Sequence, residues 1–120
     1  MEKILYVDDE DLNLQLFKLN FRKDYDVITM ASPNDSLIAI ENRDIKVVIT
    51  DFKMPNINGM QLIEMIKTVR PDVVCILLSG FMESEVVTDK SKVFSYIMKP
   101  YKKDDVLKTL ERAFDHYSIS

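Results

Sequence analysis

The sequence feature that most restricts the fold of this chain is the alternation of short apolar segments with longer amphipathic ones. Five apolar segments, rich in β-branched residues and leucine, occupy residues 4–7, 27–31, 47–50, 73–78 and 96–98. Because they do not alternate polar with apolar side chains, these segments are typical of strands that are covered on both faces, as in a parallel sheet. The pattern therefore predicts five buried parallel strands.

The stretches between the predicted strands carry apolar residues at helical spacing. In two of them, these residues are Leu62, Ile63, Ile66 and Val69, and then Leu107, Leu110, Phe114 and Tyr117. Steps of three and four residues place such side chains on one stripe of a helix. A strand followed by a helix, five times over, predicts an α/β fold with a doubly wound (βα)5 sheet. We expect residues 1–120 to form a single domain, with no output domain.

The composition argues against several other classes of protein. With 20 acidic residues and 16 Lys or Arg residues, the net charge is −4, which does not suit a nucleic-acid surface. A single Cys excludes an internal disulfide, and one Cys with one His is too few for a structural zinc site. No apolar run approaches the roughly 20 residues of a membrane span. We therefore expect a cytoplasmic protein that binds neither nucleic acid nor membrane directly.

Polar residues that can do chemistry follow four of the five predicted strands. Asp8 and Asp9 follow the first strand, Asp51 the third, Ser79 the fourth and Lys99 the fifth. In open parallel α/β sheets, ligands bind beyond the carboxyl ends of the strands. We therefore expect three carboxylates, a hydroxyl and an ammonium group to meet at one edge of the sheet.

This combination of groups suits the transfer of a phosphoryl group. Neighbouring carboxylates repel one another unless a cation offsets their charge, and Mg²⁺ is a hard ion that carboxylates commonly hold. One carboxylate is then available as a nucleophile that forms an aspartyl phosphate. The ammonium and hydroxyl groups can bind the oxygens of the incoming phosphoryl group, because such transfer depends on positioning and charge neutralisation.

Four segments of the sequence match one known family. They are ILYVDDEDLNL, VVITDFKMPNINGMQLI, ILLSGF and FSYIMKPY, and the second carries the block Asp-x-x-Met-Pro-x-x-x-Gly at residues 51–59. On these motifs the chain resembles, along its whole length, the receiver domain of bacterial two-component response regulators, a phosphoacceptor family. The resemblance implies a five-stranded, flavodoxin-like sheet with strand order 2-1-3-4-5.

The resemblance also implies a function and a set of site residues. Asp51 would accept a phosphoryl group from the phosphohistidine of a sensor histidine kinase or of a phosphotransfer protein. Asp9, Asp51 and the backbone carbonyl of Lys53 would bind Mg²⁺ directly, and Asp8 would hold a metal-bound water. The chain would not be an enzyme, although it would assist its own phosphorylation and its slow dephosphorylation.

A conformational switch is part of the same resemblance. Ser79 and Lys99 would bind oxygens of the transferred phosphoryl group, and Tyr96 would turn inward when Ser79 is drawn towards it. The bond between Lys99 and Pro100 is a candidate cis peptide, a form that is otherwise a small minority of X-Pro bonds. The switch would signal to a downstream effector protein or to a fused output domain.

Lys53 and Phe81 bear on how long the phosphoryl group would last. They lie two residues after Asp51 and Ser79, and their side chains would flank the path of the hydrolytic water. Neither side chain is a carboxylate or an amide, so neither offers a good acceptor for orienting a water. Phe81 could also cover the phosphoryl group. We therefore expect slow dephosphorylation.

The predicted first helix is apolar on two sides. Leu12, Leu16 and Leu19 lie on one side, and Leu14, Phe17 and Phe21 lie on the other. A surface helix normally needs one such stripe, so we expect some of these residues to stay exposed and to contribute to partner docking. The alternative is a wide buried stripe with a single leucine left outside it.

The segment that would form the fourth helix looks weak. Residues 79–99 are fewer than is usual in the family and include many polar residues. We therefore expect a short fourth helix.

Two other functions stay open at this point. The chain could be a receiver-fold interaction module that is not controlled by phosphorylation. It could also be an aspartate-nucleophile phosphatase of the haloacid dehalogenase type. That class needs a second acid two residues after the nucleophile, and here Lys53 occupies that place.

Overall fold

A computed structural model describes residues 1–119 of the chain. Within these residues, strands alternate with helices, and a short 3₁₀ helix precedes the last strand. The strands are β1 (Lys3–Val7), β2 (Asp26–Met30), β3 (Ile45–Asp51), β4 (Val74–Ser79) and β5 (Ser95–Met98). The helices are α1 (Asp11–Phe21), α2 (Pro33–Ala39), α3 (Gly59–Val69), α4 (Glu83–Val86) and α5 (Lys103–Ile119).

The strands form one parallel sheet in the order β2-β1-β3-β4-β5. This arrangement confirms the predicted α/β fold and its strand order. Because all the strands are parallel, their carboxyl ends lie at the same edge of the sheet. The strand order changes direction between β1 and β3, which is where open α/β sheets form a crevice for ligands.

Helices cover both faces of the sheet, which explains why the strands are apolar without interruption. In β1, Ile4 and Tyr6 belong to the hydrophobic cluster that includes α1 and α5. Leu5 and Val7 belong to the opposite cluster, which includes α3 and the end of α2. Since successive strand residues point to opposite faces, both sets of side chains of β1 meet a covered surface.

The loop between β3 and α3 passes very close to the end of β3. The N–H of Gly59 donates to the carbonyl of Phe52 at 2.7 Å. A Cβ atom at position 59 would lie 2.2 Å from the carbonyl oxygen of Asp51, so the loop can follow this path only with glycine there. A capping box between Asn58 and Gln61 then starts α3. This contact explains the glycine that ends the block at residues 51–59.

The fourth helix is short, as predicted. α4 has four residues, and the 3₁₀ helix at Lys90–Lys92 follows it on the way to β5. Val86 is the buried residue of α4, so few apolar contacts hold this segment against the sheet.

The apolar stripe predicted for α3 is wrong at its last position. Leu62, Ile63 and Ile66 are fully buried, but Val69 is 55% exposed. Val69 is the last residue of α3, and the chain turns there so that the next residue, Arg70, is buried instead.

None of the helices within residues 1–119 combines the length and the apolar character that crossing a membrane requires.

Candidate functional site

A pocket of about 680 Å³ opens at the carboxyl edge of the sheet. Its lining includes six of the residues predicted from the sequence, which come from the ends of β1, β3, β4 and β5: Asp9, Asp51, Lys53, Ser79, Phe81 and Lys99. The parallel sheet therefore brings together side chains that are as far apart in the sequence as Asp9 and Lys99. Pro100 directly follows this lining, and the Lys99–Pro100 peptide bond is cis.

Three carboxylates converge at this edge of the sheet, and two of them line the pocket. Asp8, Asp9 and Asp51 each offer an oxygen, and these oxygens all lie within 4.8 Å of one another. Asp8 is fully buried, Asp51 is 7% exposed and Asp9 faces solvent. An all-oxygen donor set with an open side fits a hard, partly hydrated cation such as Mg²⁺.

The surroundings of Asp51 disfavour its charged form. Burial raises the pKa of Asp51, an ion pair with Lys99 opposes that rise, and the charges of Asp8 and Asp9 add to it. The Nζ of Lys99 bonds directly to Oδ1 of Asp51. The lysine therefore compensates part of the negative charge, and a divalent cation would compensate more of it.

Asp8 is held from two sides. The hydroxyl of Tyr6 donates to Oδ2 at 2.8 Å, and the N–H of Glu10 donates to Oδ1 at 3.0 Å. Burial and the neighbouring Asp8 raise the pKa of Tyr6 far above its usual range, so the phenol keeps its proton. Sequence reasoning missed Tyr6, although a tyrosine two residues before an aspartate in a strand places both side chains on the same face.

Ser79 and Tyr96, the two predicted switch residues, both contact the backbone of Phe81. The N–H of Phe81 donates to Oγ of Ser79 at 3.0 Å. The hydroxyl of Tyr96 donates to the carbonyl of Phe81, and it lies 3.5 Å from the carbonyl of Ser79. Tyr96 is half-buried and does not line the pocket itself. The loop after β4 therefore connects the serine to the tyrosine.

Phe81 and Lys53 stand at the mouth of the pocket. The ring of Phe81 packs edge-on against Phe52 with centroids 6.0 Å apart, and it stays 45% exposed. Lys53 is exposed and also lines the pocket. An aromatic ring and a cation therefore line the same pocket as Asp51.

The fold and the pocket together define a class of protein, the receiver modules with an acidic pocket at the carboxyl edge of a parallel α/β sheet. The chain belongs to the response regulator receiver domain family, whose sequence model matches residues 4–111. Members of this family are signalling modules of two-component systems and not classical enzymes.

One similar protein is the hydrogenase transcriptional regulatory protein HoxA of Bradyrhizobium diazoefficiens. It is 26% identical over 119 residues, which cover 97% of this chain and 24% of HoxA. The chain spans about a quarter of the length of HoxA and of two further transcriptional regulators that it matches.

Two solved structures are similar over nearly the whole chain. A response regulator receiver domain protein from Clostridium thermocellum has a TM-score of 0.91 and 32% identity, covering 99% of this chain and 98% of that one. The BeF₃-activated receiver domain of DrrB has a TM-score of 0.80 and 25% identity, covering 96% of this chain and 98% of DrrB's.

Proposed function

We propose that this chain is a phosphoacceptor that receives a phosphoryl group on Asp51 from the phosphohistidine of a sensor histidine kinase or phosphotransfer protein. The observation that carries the proposal is the position of Asp51 in the pocket. Its carboxylate contacts the ammonium of Lys99 and lies beside Asp8 and Asp9. Membership of the receiver family supports the same role.

In the proposed reaction, a carboxylate oxygen of Asp51 attacks the phosphorus atom. An O–P bond forms while the N–P bond breaks, and the histidine nitrogen keeps the bonding electron pair. Lys99 pairs with one phosphoryl oxygen and the hydroxyl of Ser79 donates to another, so that charge is neutralised where it develops. The chain therefore supplies a positioned nucleophile and two oxygen-binding groups.

Mg²⁺ is the cofactor that we propose for this step. Asp9, Asp51 and the carbonyl of Lys53 would hold the ion, and Asp8 would hold one of its waters. When bound, Mg²⁺ supplies neutralisation of the negative charge on the phosphoryl oxygens and carboxylates. The cluster of three carboxylate oxygens supports this assignment.

The proposed output is a movement of the loop after β4. When Ser79 rotates to donate its hydroxyl to a phosphoryl oxygen, its Oγ moves away from the N–H of Phe81 and this hydrogen bond is lost. The loop then shifts, and Tyr96 loses its acceptor on Phe81 and turns inward. A downstream effector or a fused output domain would recognise the new surface.

The cellular setting follows from the same proposal. The donor would be a kinase or phosphotransfer protein in the cytoplasm, where Cys75 stays reduced. Cys75 is a free, buried thiol, which suits a reducing compartment.

The test is phosphorylation by acetyl phosphate. With Mg²⁺ present, the wild-type chain should gain the mass of one phosphoryl group, and Asp51→Asn should gain none. Asp115→Asn, which alters an exposed aspartate on α5, is the matched control and should behave like the wild type. If the wild-type chain gains no phosphoryl group, the alternative of an interaction module without phosphorylation replaces this proposal.

A further inference from the structure

Tyr6 carries a polar group among the buried residues of strand β1. It is 3% exposed, and its ring stacks on that of Phe17 in α1, with centroids 3.9 Å apart and planes 8° from parallel. Phe17 in turn contacts the ring of Phe21, whose centroid is 4.6 Å away. The packing of three aromatic rings therefore fixes the direction in which the hydroxyl of Tyr6 points.

The hydroxyl points at one of the three clustered carboxylates, that of Asp8. It donates to Oδ2 of Asp8 at 2.8 Å, while the N–H of Glu10 donates to Oδ1 at 3.0 Å. Each oxygen of this buried carboxylate thus has a donor from the protein. The two bonds set the plane of the Asp8 carboxylate relative to Asp9 and Asp51.

We propose that Tyr6 is a positioning residue of the cation site, which holds Asp8 in the orientation that lets this carboxylate bind a water of the Mg²⁺ held by Asp9 and Asp51. The inference rests on the proposed Mg²⁺ binding and deepens it. It stands on geometry, because the carboxylate oxygens of Asp8, Asp9 and Asp51 lie within 4.8 Å of one another. Loss of a group that holds a metal ligand in place typically weakens metal affinity by about 10- to 100-fold.

If the hydroxyl of Tyr6 served folding stability alone, its loss would not weaken Mg²⁺ binding. A buried phenol needs an acceptor, and Asp8 could simply satisfy it. In that case, loss of the hydroxyl would change the free energy of unfolding and leave the Mg²⁺ affinity of the folded protein unaltered. Metal affinity and folding stability must therefore be measured separately.

The experiment compares Tyr6→Phe with the wild type. This change removes the hydroxyl and keeps the ring that stacks on Phe17. We expect the dissociation constant for Mg²⁺, from calorimetry or from NMR shifts, to rise about 10-fold. Tyr25→Phe is the matched control, because Tyr25 lies at the opposite edge of the sheet beside Lys3 and Arg22. The Mg²⁺ affinity of this variant should equal that of the wild type.

The outcomes separate this inference from the proposed function. If the wild type binds no Mg²⁺, both are wrong. If the wild type binds Mg²⁺ and Tyr6→Phe binds it within about twofold, the positioning role is wrong and the proposed function stands. Should Tyr6→Phe fail to fold, Phe17→Leu takes its place. That variant keeps the hydroxyl but loosens the ring, so unaltered Mg²⁺ binding would again contradict the positioning role.

Discussion

At the scale of single residues, Asp51 shows how the site opposes stability. Burial raises its pKa above the ordinary value of 3.8, and Lys99 offsets part of the rise. A carboxyl group whose pKa is higher in the folded state binds its proton more tightly there than in the unfolded chain. The folded state therefore loses stability as the pH rises from 3.8 through the folded-state pKa. At neutral pH, the ionised Asp51 is a destabilising group.

Asp51→Asn should therefore be more stable than the wild type at neutral pH without Mg²⁺. The gain should grow as the pH rises above 3.8 and should level off once Asp51 is ionised in the folded wild type. Urea unfolding of both proteins in EDTA, from about pH 4 to about pH 8, measures this difference. If the difference in the free energy of unfolding did not vary with pH, burial would not be raising the pKa of Asp51. Asp115→Asn is the control and should show no such gain.

Phe81 and Lys53 should slow the loss of the phosphoryl group. Both side chains line the pocket that holds Asp51, and neither offers an acceptor that orients water. In Lys53→Asn/Phe81→Glu, an amide and a carboxylate replace them, and we expect dephosphorylation to be faster by roughly 10-fold or more. Phosphorylated protein freed of acetyl phosphate can be followed by intact mass over time.

The control for that experiment introduces a carboxylate outside the pocket. Met82 is 58% exposed and does not line the pocket, so Met82→Glu should leave the lifetime unchanged. If the wild type lost its phosphoryl group as fast as the double variant, the shielding argument would be refuted.

At the scale of elements, α1 divides its apolar residues between two environments. Leu14, Phe17 and Phe21 are buried against the sheet, with at most 7% exposure. Leu12, Leu16 and Leu19 are 64%, 47% and 55% exposed. The wide buried stripe is therefore excluded, and docking of a partner on the exposed leucines stays a prediction.

The exposed leucines of α1 should matter for a protein donor but not for a small one. In Leu16→Ser/Leu19→Ser, transfer from a phosphohistidine protein should slow by about 10-fold, because exposed apolar anchors can carry 1 kcal/mol or more each. Labelling by acetyl phosphate needs no docking and should not change. Ile38→Ser is the control, since it replaces an isoleucine on α2 that is 65% exposed, and it should affect neither reaction. Equal slowing with both donors would point to damage of the site instead.

At the scale of the whole molecule, the two edges of the sheet have different tasks. The carboxyl edge holds the pocket, whereas Arg70 ties elements together at the amino edge. Its Nη1 donates to the carbonyls of Ile40, Asn42 and Ile45 at 2.9, 3.2 and 2.7 Å. Its Nη2 donates to Asp72 at 2.8 Å. One side chain thus joins the ends of α2 and α3 to the starts of β3 and β4.

Arg70→Met should destabilise the fold by about 2–4 kcal/mol, because it removes the donor to the buried carbonyls of Ile40 and Ile45. Arg43→Met is the control. Arg43 is 77% exposed, and its Nη1 lies as far as 4.0 Å from the carboxylate of Asp72. Loss of this weak contact should change stability by no more than about 0.5 kcal/mol. Urea unfolding measures both variants, and equal effects would contradict the bridging role of Arg70. Phosphorylation of folded Arg70→Met should still occur, since the site is at the other edge.

Much of the fold could be predicted from the sequence because its signals are local. Uninterrupted apolar segments mark strands that are covered on both faces, and helical spacing marks what lies between them. The carboxyl ends of parallel strands share an edge, so Asp9, Asp51, Ser79 and Lys99 could be placed together before any coordinates were known. The strand order itself is implied only by the motifs of the family.

The sequence by itself therefore determined the strands, the helices and the edge at which the site lies. Only the tertiary structure decided which side of α1 is covered, that Val69 is exposed while Arg70 is buried, and that Tyr6 reaches Asp8. The physical reason is the range of the interactions. Periodicity reports which face a residue occupies within its own element. Burial and hydrogen bonding depend on elements that lie far away in the sequence, as Arg70 and Ile40 do.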